Sequence, residues 1–163
     1  MSDVPEPPPV HRRKFLVVVD QTPECYVALR FAANRARNTG GLLALIFAIS
    51  PSDVQQWAGI ERMMRDEART EAEGFIRKAA EYVYAITKTM PEIIIRVGRT
   101  AAEIRAVLTE DRSISILILA LRKSAEGPGP LVEAIVGPES GGYPIPVTVV
   151  PGTLSDADVD ALT

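Results

Sequence analysis

Cysteine occurs once in the 163 residues, as Cys25, and histidine once, as His11. A disulfide framework is therefore excluded, and a lone thiol fits a reducing compartment, so the expected location is the cytoplasm. No His/Cys cluster exists to hold a metal. The one histidine lies in the N-terminal arm, where it cannot orient a nucleophile. Cys25 accordingly reads as a small buried core residue in the first turn of a helix rather than a reactive thiol. Basic charge is not in excess either: 18 Lys and Arg stand against 21 Asp and Glu, a net charge of −3. Without a positive field to follow a phosphate backbone, nucleic acid is not an expected partner. Long apolar runs are missing too. The longest, Leu42–Ile49 and Ile116–Leu121, are far short of the ~20 residues that a spanning helix needs. Met1–Lys14 has no apolar run of signal-peptide type. No membrane partner is expected.

What remains is an ordinary globular balance, 47% hydrophobic and 24% charged, on a length that suits one domain with its own core. Residues 1–13 carry Pro5, Pro7, Pro8 and Pro9 and read as a disordered or extended arm. The basic cluster Arg12, Arg13 and Lys14 reads as a solvated lead-in to the first strand. The domain proper is expected over residues 14–152, followed by an extension over 153–163 with a short helix.

Phe15–Val19 is a continuous apolar run, as suits a strand buried on both faces of a parallel sheet. Asp20 follows it. Thr22, Pro23 and Glu24 then read as a helix start, with Thr22 as N-cap. The helix runs to about Asn38 and ends at Gly40 and Gly41. Leu42–Ile49 is the second strand, and a loop from Pro51 holds Trp57 and Gly59. Ile60, Met64, Ala68, Ala72, Phe75, Ala79, Val83 and Ile86 repeat at helical spacing over about 60–89; this stripe reads as core. A third strand is expected at Glu92–Val97, turned by Gly98. A helix follows over Thr100–Glu110, with Thr100 and Glu103 in capping-box register. Ile114–Ala120 is the fourth strand. After a Gly/Pro loop, Gly127 to Pro130, a short helix reaches about Val136. Gly137–Pro144 is a loop and Ile145–Val150 the fifth strand. Ser155 caps a last helix ending near Leu162. Strands alternating with helices predict an open, mostly parallel five-stranded sheet with helices on both faces, a Rossmann-like α/β fold.

In such a sheet ligands bind outside the carboxyl ends of the strands, where strand order reverses. The candidate residues are therefore those just after each strand: Asp20, Gln21 and Thr22; Ile49; Gly98; and Ala120 with the segment that follows. A carboxylate at Asp20 can accept from a ribose hydroxyl or an adenine amino group; it can equally cap the helix or simply end the strand. A phosphate cradle needs free backbone N–H groups. Pro128 and Pro130 each remove one, while Gly127, Gly129, Leu131 and Val132 keep theirs. Arg122 and Lys123 add positive charge beside the loop. Both a phosphate site and a rigid turn that starts the fourth helix fit these residues. Ser140, Gly141 and Gly142 read as a flexible connection.

The ordered set of segments resembles the universal stress protein family over roughly residues 14–152. It comprises the run from Phe15 to Asp20 with the helix behind it; Val97 and Gly98 followed by Ala102, Glu103 and Ile104; Ile116–Ala120 with its glycine loop; and the closing segment Pro146–Val150. The resemblance implies an adenine-nucleotide-hydrolase-like fold. It also implies ATP or another adenine nucleotide across the ends of the first and fourth strands, and a homodimer through residues 145–150. ATP-binding members carry Gly-x-x-Gly, nine residues, then Gly-Ser or Gly-Thr. Gly127 and Gly137 keep the nine-residue separation. Ser124 stands at the first glycine, Pro138 at the final hydroxyl position, and Ala120 where the strand end would carry glycine. The alternative is a dimeric partner-binding module that has lost its nucleotide. No residue is an obvious catalytic base, so no enzyme activity is assigned. A receiver domain is excluded, because Asp20 has no acidic neighbour and Pro151 stands where a lysine is needed. The glycine loops of ATP pyrophosphatases and of dinucleotide-binding folds are missing after Val19.

Overall fold

The structure, a computed structural model, describes residues 13–51, 58–123, 127, 129–137 and 142–163. The expected arm up to Arg12, the loop with Trp57, and Ser124, Pro128, Pro138, Ser140 and Gly141 lie outside the described residues. Five strands alternate with five helices: β1 (Lys14–Val18), α1 (Glu24–Thr39), β2 (Leu42–Ile49), α2 (Ala58–Thr87), β3 (Glu92–Val97), α3 (Thr100–Glu110), β4 (Ile114–Leu121), α4 (Pro130–Val136), β5 (Val147–Pro151) and α5 (Asp156–Leu162). The strands form one sheet in the order β3-β2-β1-β4-β5, and every pairing is parallel.

Because side chains alternate across a strand, β1 feeds two cores. Phe15, Val17 and Val19 pack with α1 and α2; Leu16 and Val18 pack with α3 and α4. Burying a leucine such as Leu16 or Leu45 contributes roughly 1.5–3 kcal/mol relative to leaving it in water. The α1 helix comes close to the sheet because its inner face is built of small residues, Cys25, Ala28, Ala32, Ala33 and Ala36, around Leu29, all buried. It ends at Gly40 in the left-handed conformation (φ 69°), whose N–H returns to the Ala36 carbonyl, a conformation that costs glycine nothing. Of the expected α2 stripe, Ala72, Ala79 and Val83 are buried, joined by Ile76 and Ala80.

Three local expectations need correction. Thr22 is not the N-cap of α1: Pro23 holds that position, and the Thr22 hydroxyl turns back onto Asp20. The capping box at α3 does not form. Arg99 is its N-cap and no side chain caps it, because the Glu103 side chain instead lies over Gly98, where no Cβ intervenes. The strand at the end of the domain starts at Val147, not Ile145, and runs through Pro151. Pro144 and Pro146 hold the chain out of the ladder until then. By contrast, β2, β3 and α3 have the expected bounds. The α5 cap is also as expected: Ser155 and Asp158 exchange side-chain and backbone hydrogen bonds.

Two ionic clusters tie the chain ends to the frame. At the start of β1, Lys14 contacts Glu92 and donates to Asp111 at 2.6 Å. Burial pulls the Lys14 ammonium toward a lower pKa, but its bonds to Asp111 and Glu92 outweigh that and the net shift is upward. Asp111 is held down to about 2, chiefly by the hydrogen bond from Lys14 and then by Ser113. At the other end, the Arg30 guanidinium grips the Asp160 carboxylate through two bonds of 2.8 Å, and Asn34 adds a third. Val159 is fully buried beneath them, so residues 153–163 pack onto α1.

The Asp111 shift has a defined pH signature. Its folded pKa, about 2, lies below the ordinary ~3.9 of an unfolded chain. The associated stability is therefore present above pH ~4 and is lost as pH falls from ~4 to ~2. Urea titrations of Lys14→Met should show a loss of about 1–2 kcal/mol at neutral pH and a flattened acid limb between those values. An acid limb identical to that of the unsubstituted protein would contradict the assignment.

Candidate functional site

The order of the strands fixes where a site can form. From β1 the chain winds outward through α1 and α2 on one face to β3, then crosses by α3 on the other face to β4. The connections leaving β1 and β4 therefore diverge to opposite faces and leave a crevice between the two strand ends. A cleft of about 450 Å³ lies there, within the range of small-molecule sites. Val18, Val19 and Ala120 form its floor, Asp20, Gln21 and Thr22 one wall, and Arg122, Gly129, Pro130, Leu131 and Val132 the other. Phe47, Ala48 and Thr100 complete it. A separate hollow at the opposite end of the sheet, lined by Gly40, Gly41 and Pro91 among others, has only about 260 Å³ and sits at the amino ends of the strands.

Asp20 is organised as part of this wall. Its Oδ1 accepts from the Thr22 N–H at 2.8 Å and from the Thr22 hydroxyl. Among the described residues both bonds fall on Oδ1, so Oδ2 keeps its lone pairs for another donor. One carboxylate thus shapes the turn into α1 and offers an acceptor. Asp20 does not cap α1, whose N-cap is Pro23 with no side-chain cap; it bends the chain beyond β1 through Thr22 instead, and this leaves room for ligand contact.

On the opposite wall Gly129 precedes α4 with φ 92°, a region L side chains rarely enter. A Cβ there would make ordinary contact with Arg122 Cδ at 3.5 Å, so the Arg122 side chain lies beside the loop and it is the positive φ, not space, that favours glycine. The Leu131 and Val132 backbone follows at the first turn of α4; Pro130 has no N–H to offer. The walls therefore carry opposite charges, Asp20 at the end of β1 and Arg122 beyond the end of β4, over an apolar floor. Phe47 is steadied by Phe75 of α2, the rings stacked at 6.4 Å.

The other candidates lie elsewhere. Ile49 borders an adjoining hollow of about 470 Å³ with Ser50, Met64 and Glu71; it shares Gln21, Phe47 and Ala48 with the main cleft. The Gly98 N–H donates to the Ile49 carbonyl at 2.9 Å, which extends the sheet. Lys123 faces Glu24. The Glu24 carboxyl is held below its usual range first by its own backbone N–H and also by the Lys123 backbone and charge. Gly127 (φ 99°) is exposed outside the lining. Gly137 is the C-cap of α4, a helix length away from Gly129. Residue reading missed Phe47, Ala48 and Thr100. The first two precede the end of their strand, and Thr100 was read as a capping residue; looking two residues inside each strand end would have found Phe47 and Ala48.

Cys25 does not join the cleft. It is fully buried with its Sγ 3.8 Å from the Val18 carbonyl. Burial pushes its pKa up to about 12, and the Asp20 charge adds to the rise. Among the described residues no group of three or more His, Cys, Asp or Glu is placed to hold a metal ion.

Fold and crevice together define an open α/β protein with a polar-walled cleft at the point where its winding reverses. The chain matches the universal stress protein family model over residues 11–151 and belongs to that family. Its fold is shared with the universal stress protein UspA from Lactobacillus plantarum, 17% identical, with 85% of this chain and 97% of that one covered at a TM-score of 0.71. A universal stress protein solved in complex with cAMP is 16% identical over 87% of this chain and 98% of its own, at 0.62. The universal stress protein from Archaeoglobus fulgidus in complex with dAMP is also 16% identical, covering 84% and 96%, at 0.56. Among curated protein sequences there is no match. No helix of the described residues is long and apolar enough to cross a membrane.

The buried thiol gives a direct check on this geometry. Cys25 in the native protein should react with a disulfide reagent at pH 8 at least about 100-fold more slowly than in the urea-unfolded chain. Comparable rates would mean that the start of α1 does not pack as described.

Proposed function

We propose that this chain binds an adenine nucleotide, ATP or a related form, in the crevice between the ends of β1 and β4. The observation that carries the reading is the pairing of opposite charges across a cleft of about 450 Å³ with an apolar floor. Asp20 Oδ2 accepts from a ribose hydroxyl or the adenine amino group, and Gln21 and Thr22 extend that wall. Arg122 meets phosphate, with the backbone N–H groups of Gly129, Leu131 and Val132 beside it. Gly127, Lys123 and Gly137 stand outside the contact and shape the loop and helix around it. The adjoining hollow beside Ile49 gives the ligand further room, and Gly98 holds the Ile49 carbonyl. Two fold neighbours are described in complex with cAMP and dAMP, which supports this ligand class. The same proposal places the protein in the cytoplasm, as a stress-response protein acting through ligand-dependent shape. It includes a homodimer across residues 145–150, where β5 is an outer strand of the sheet.

A second reading, a partner-binding module without nucleotide, is favoured by one observation. Pro130 opens α4 and has no N–H to give to the wall that would hold phosphate.

Thermal unfolding with ATP, ADP and AMP separates the two. Ligand at a hundred times its dissociation constant adds about 2.7 kcal/mol, a rise in Tm of roughly 5–10 °C. Asp20→Asn, which keeps an acceptor for Thr22 but removes the charge, and Arg122→Ser should each diminish the shift without lowering the ligand-free Tm by more than a few degrees. No shift at millimolar nucleotide would overturn the reading in favour of the partner module.

A further inference from the structure

The two outer strands of the sheet are unequally protected. In β5, Leu117 donates to the Pro146 carbonyl and Gly152 donates to the Leu121 carbonyl. Backbone groups alternate sides along a strand, so residues 147, 149 and 151 face outward, and Pro151 has no N–H. In β3 the Gly98 N–H points inward to Ile49. Ile93, Ile95 and Val97 therefore turn their N–H and C=O groups away from the sheet. No strand of the described residues lies beyond β3. Ile93 and Val97 are each 43% exposed. Proline, bulges and charged side chains usually blunt such an edge; β3, with the sequence EIIIRV, has no proline or bulge, and its only charges, Glu92 and Arg96, are of opposite sign.

We propose that β3 is a docking edge for the β3 of a second copy of this chain, paired antiparallel about a two-fold axis through Ile94. The register follows from two independent requirements. Outward-facing residues must meet as hydrogen-bonded pairs, which allows Ile93 opposite Ile95 of the second copy. The same register sets Glu92 opposite Arg96 of the second copy, and by symmetry the reverse, so the strand is charge-complementary to itself. The alternative centred on Ile95 sets Ile94 opposite Arg96 and loses that complementarity. On the α2 side of the sheet, the Ile93, Ile95 and Val97 side chains of both copies then close over one another. On the α3 side, the Glu92 and Arg96 side chains already lean on Lys14 and Glu110, and the second copy extends these pairs into a continuous ionic row. This edge is at the opposite end of the sheet from β5 and does not depend on nucleotide in the cleft.

Two measurements on the full chain test it. In sedimentation velocity over micromolar to millimolar protein, Ile93→Lys should weaken one self-association step by at least about tenfold, because it sets a charge in the apolar contact, while leaving Tm nearly unchanged. Ile94→Cys should cross-link to itself under mild oxidation, because a non-hydrogen-bonded antiparallel pair brings facing Cβ atoms within about 4.5–5.5 Å. Ile95→Cys, whose facing residue is Ile93, should not. Cys25 is buried and does not compete. A protein that stays monomeric throughout, an association untouched by Ile93→Lys, or equal cross-linking of the two cysteine variants would overturn the proposal. An association that survives Ile93→Lys belongs to another surface, β5 included.

Discussion

Everything in this molecule depends on β1 pairing in parallel with strands on both sides, with β2 through Lys14–Val18 and with β4 through Lys14–Val17. Parallel neighbours demand crossover connections, and crossovers are right-handed. Two crossovers that leave a central strand in opposite directions must pass over opposite faces. Hence α1 and α2 cover one face and α3 and α4 the other, and the loops above β1 and β4 separate. The cleft is a consequence of topology before it is a consequence of any side chain. Asp20 and Arg122 then decide its polarity.

The same constraint explains why much of the fold was legible in the sequence. A strand buried on both faces must be apolar throughout, and the runs at β1, β2 and β4 announce this without any motif. Glycine after α1 and the polar gaps set most of the boundaries. What was not legible were choices between competing local hydrogen bonds. Thr22 can cap a helix, but the carboxylate two residues earlier captured it first. Thr100 and Glu103 have capping-box spacing, but Glu103 found space over Gly98. Both depend on distances of a few ångström that spacing along the chain does not encode. The start of β5 was mistaken because Ile145 is apolar, although Pro144 and Pro146 on either side of it keep it from pairing.

The candidate site divides along the same line. Residues attached directly to strand ends, Asp20, Gln21, Thr22, Ala120 and Arg122, are brought together as strand order requires. Residues grouped by the spacing of a glycine motif do not line the cleft: Gly127 stands outside the lining and Gly137 caps the far end of α4. Lys123 is one residue from Arg122 but is drawn to Glu24. The edges show a comparable division. Proline at β5 leaves that strand with fewer outward donors, whereas β3 presents an unblunted row whose Glu92 and Arg96 mirror each other about Ile94.

Amide chemical-shift mapping of the labelled protein during titration with ADP addresses the central claim most directly. Perturbations concentrated at Val19–Thr22, Leu121–Arg122 and Gly129–Val132, with little change at Gly40–Leu43, are the result this account predicts. Perturbations centred on the hollow at the amino ends of the strands, around Gly40 and Met90, or spread without focus, would contradict it.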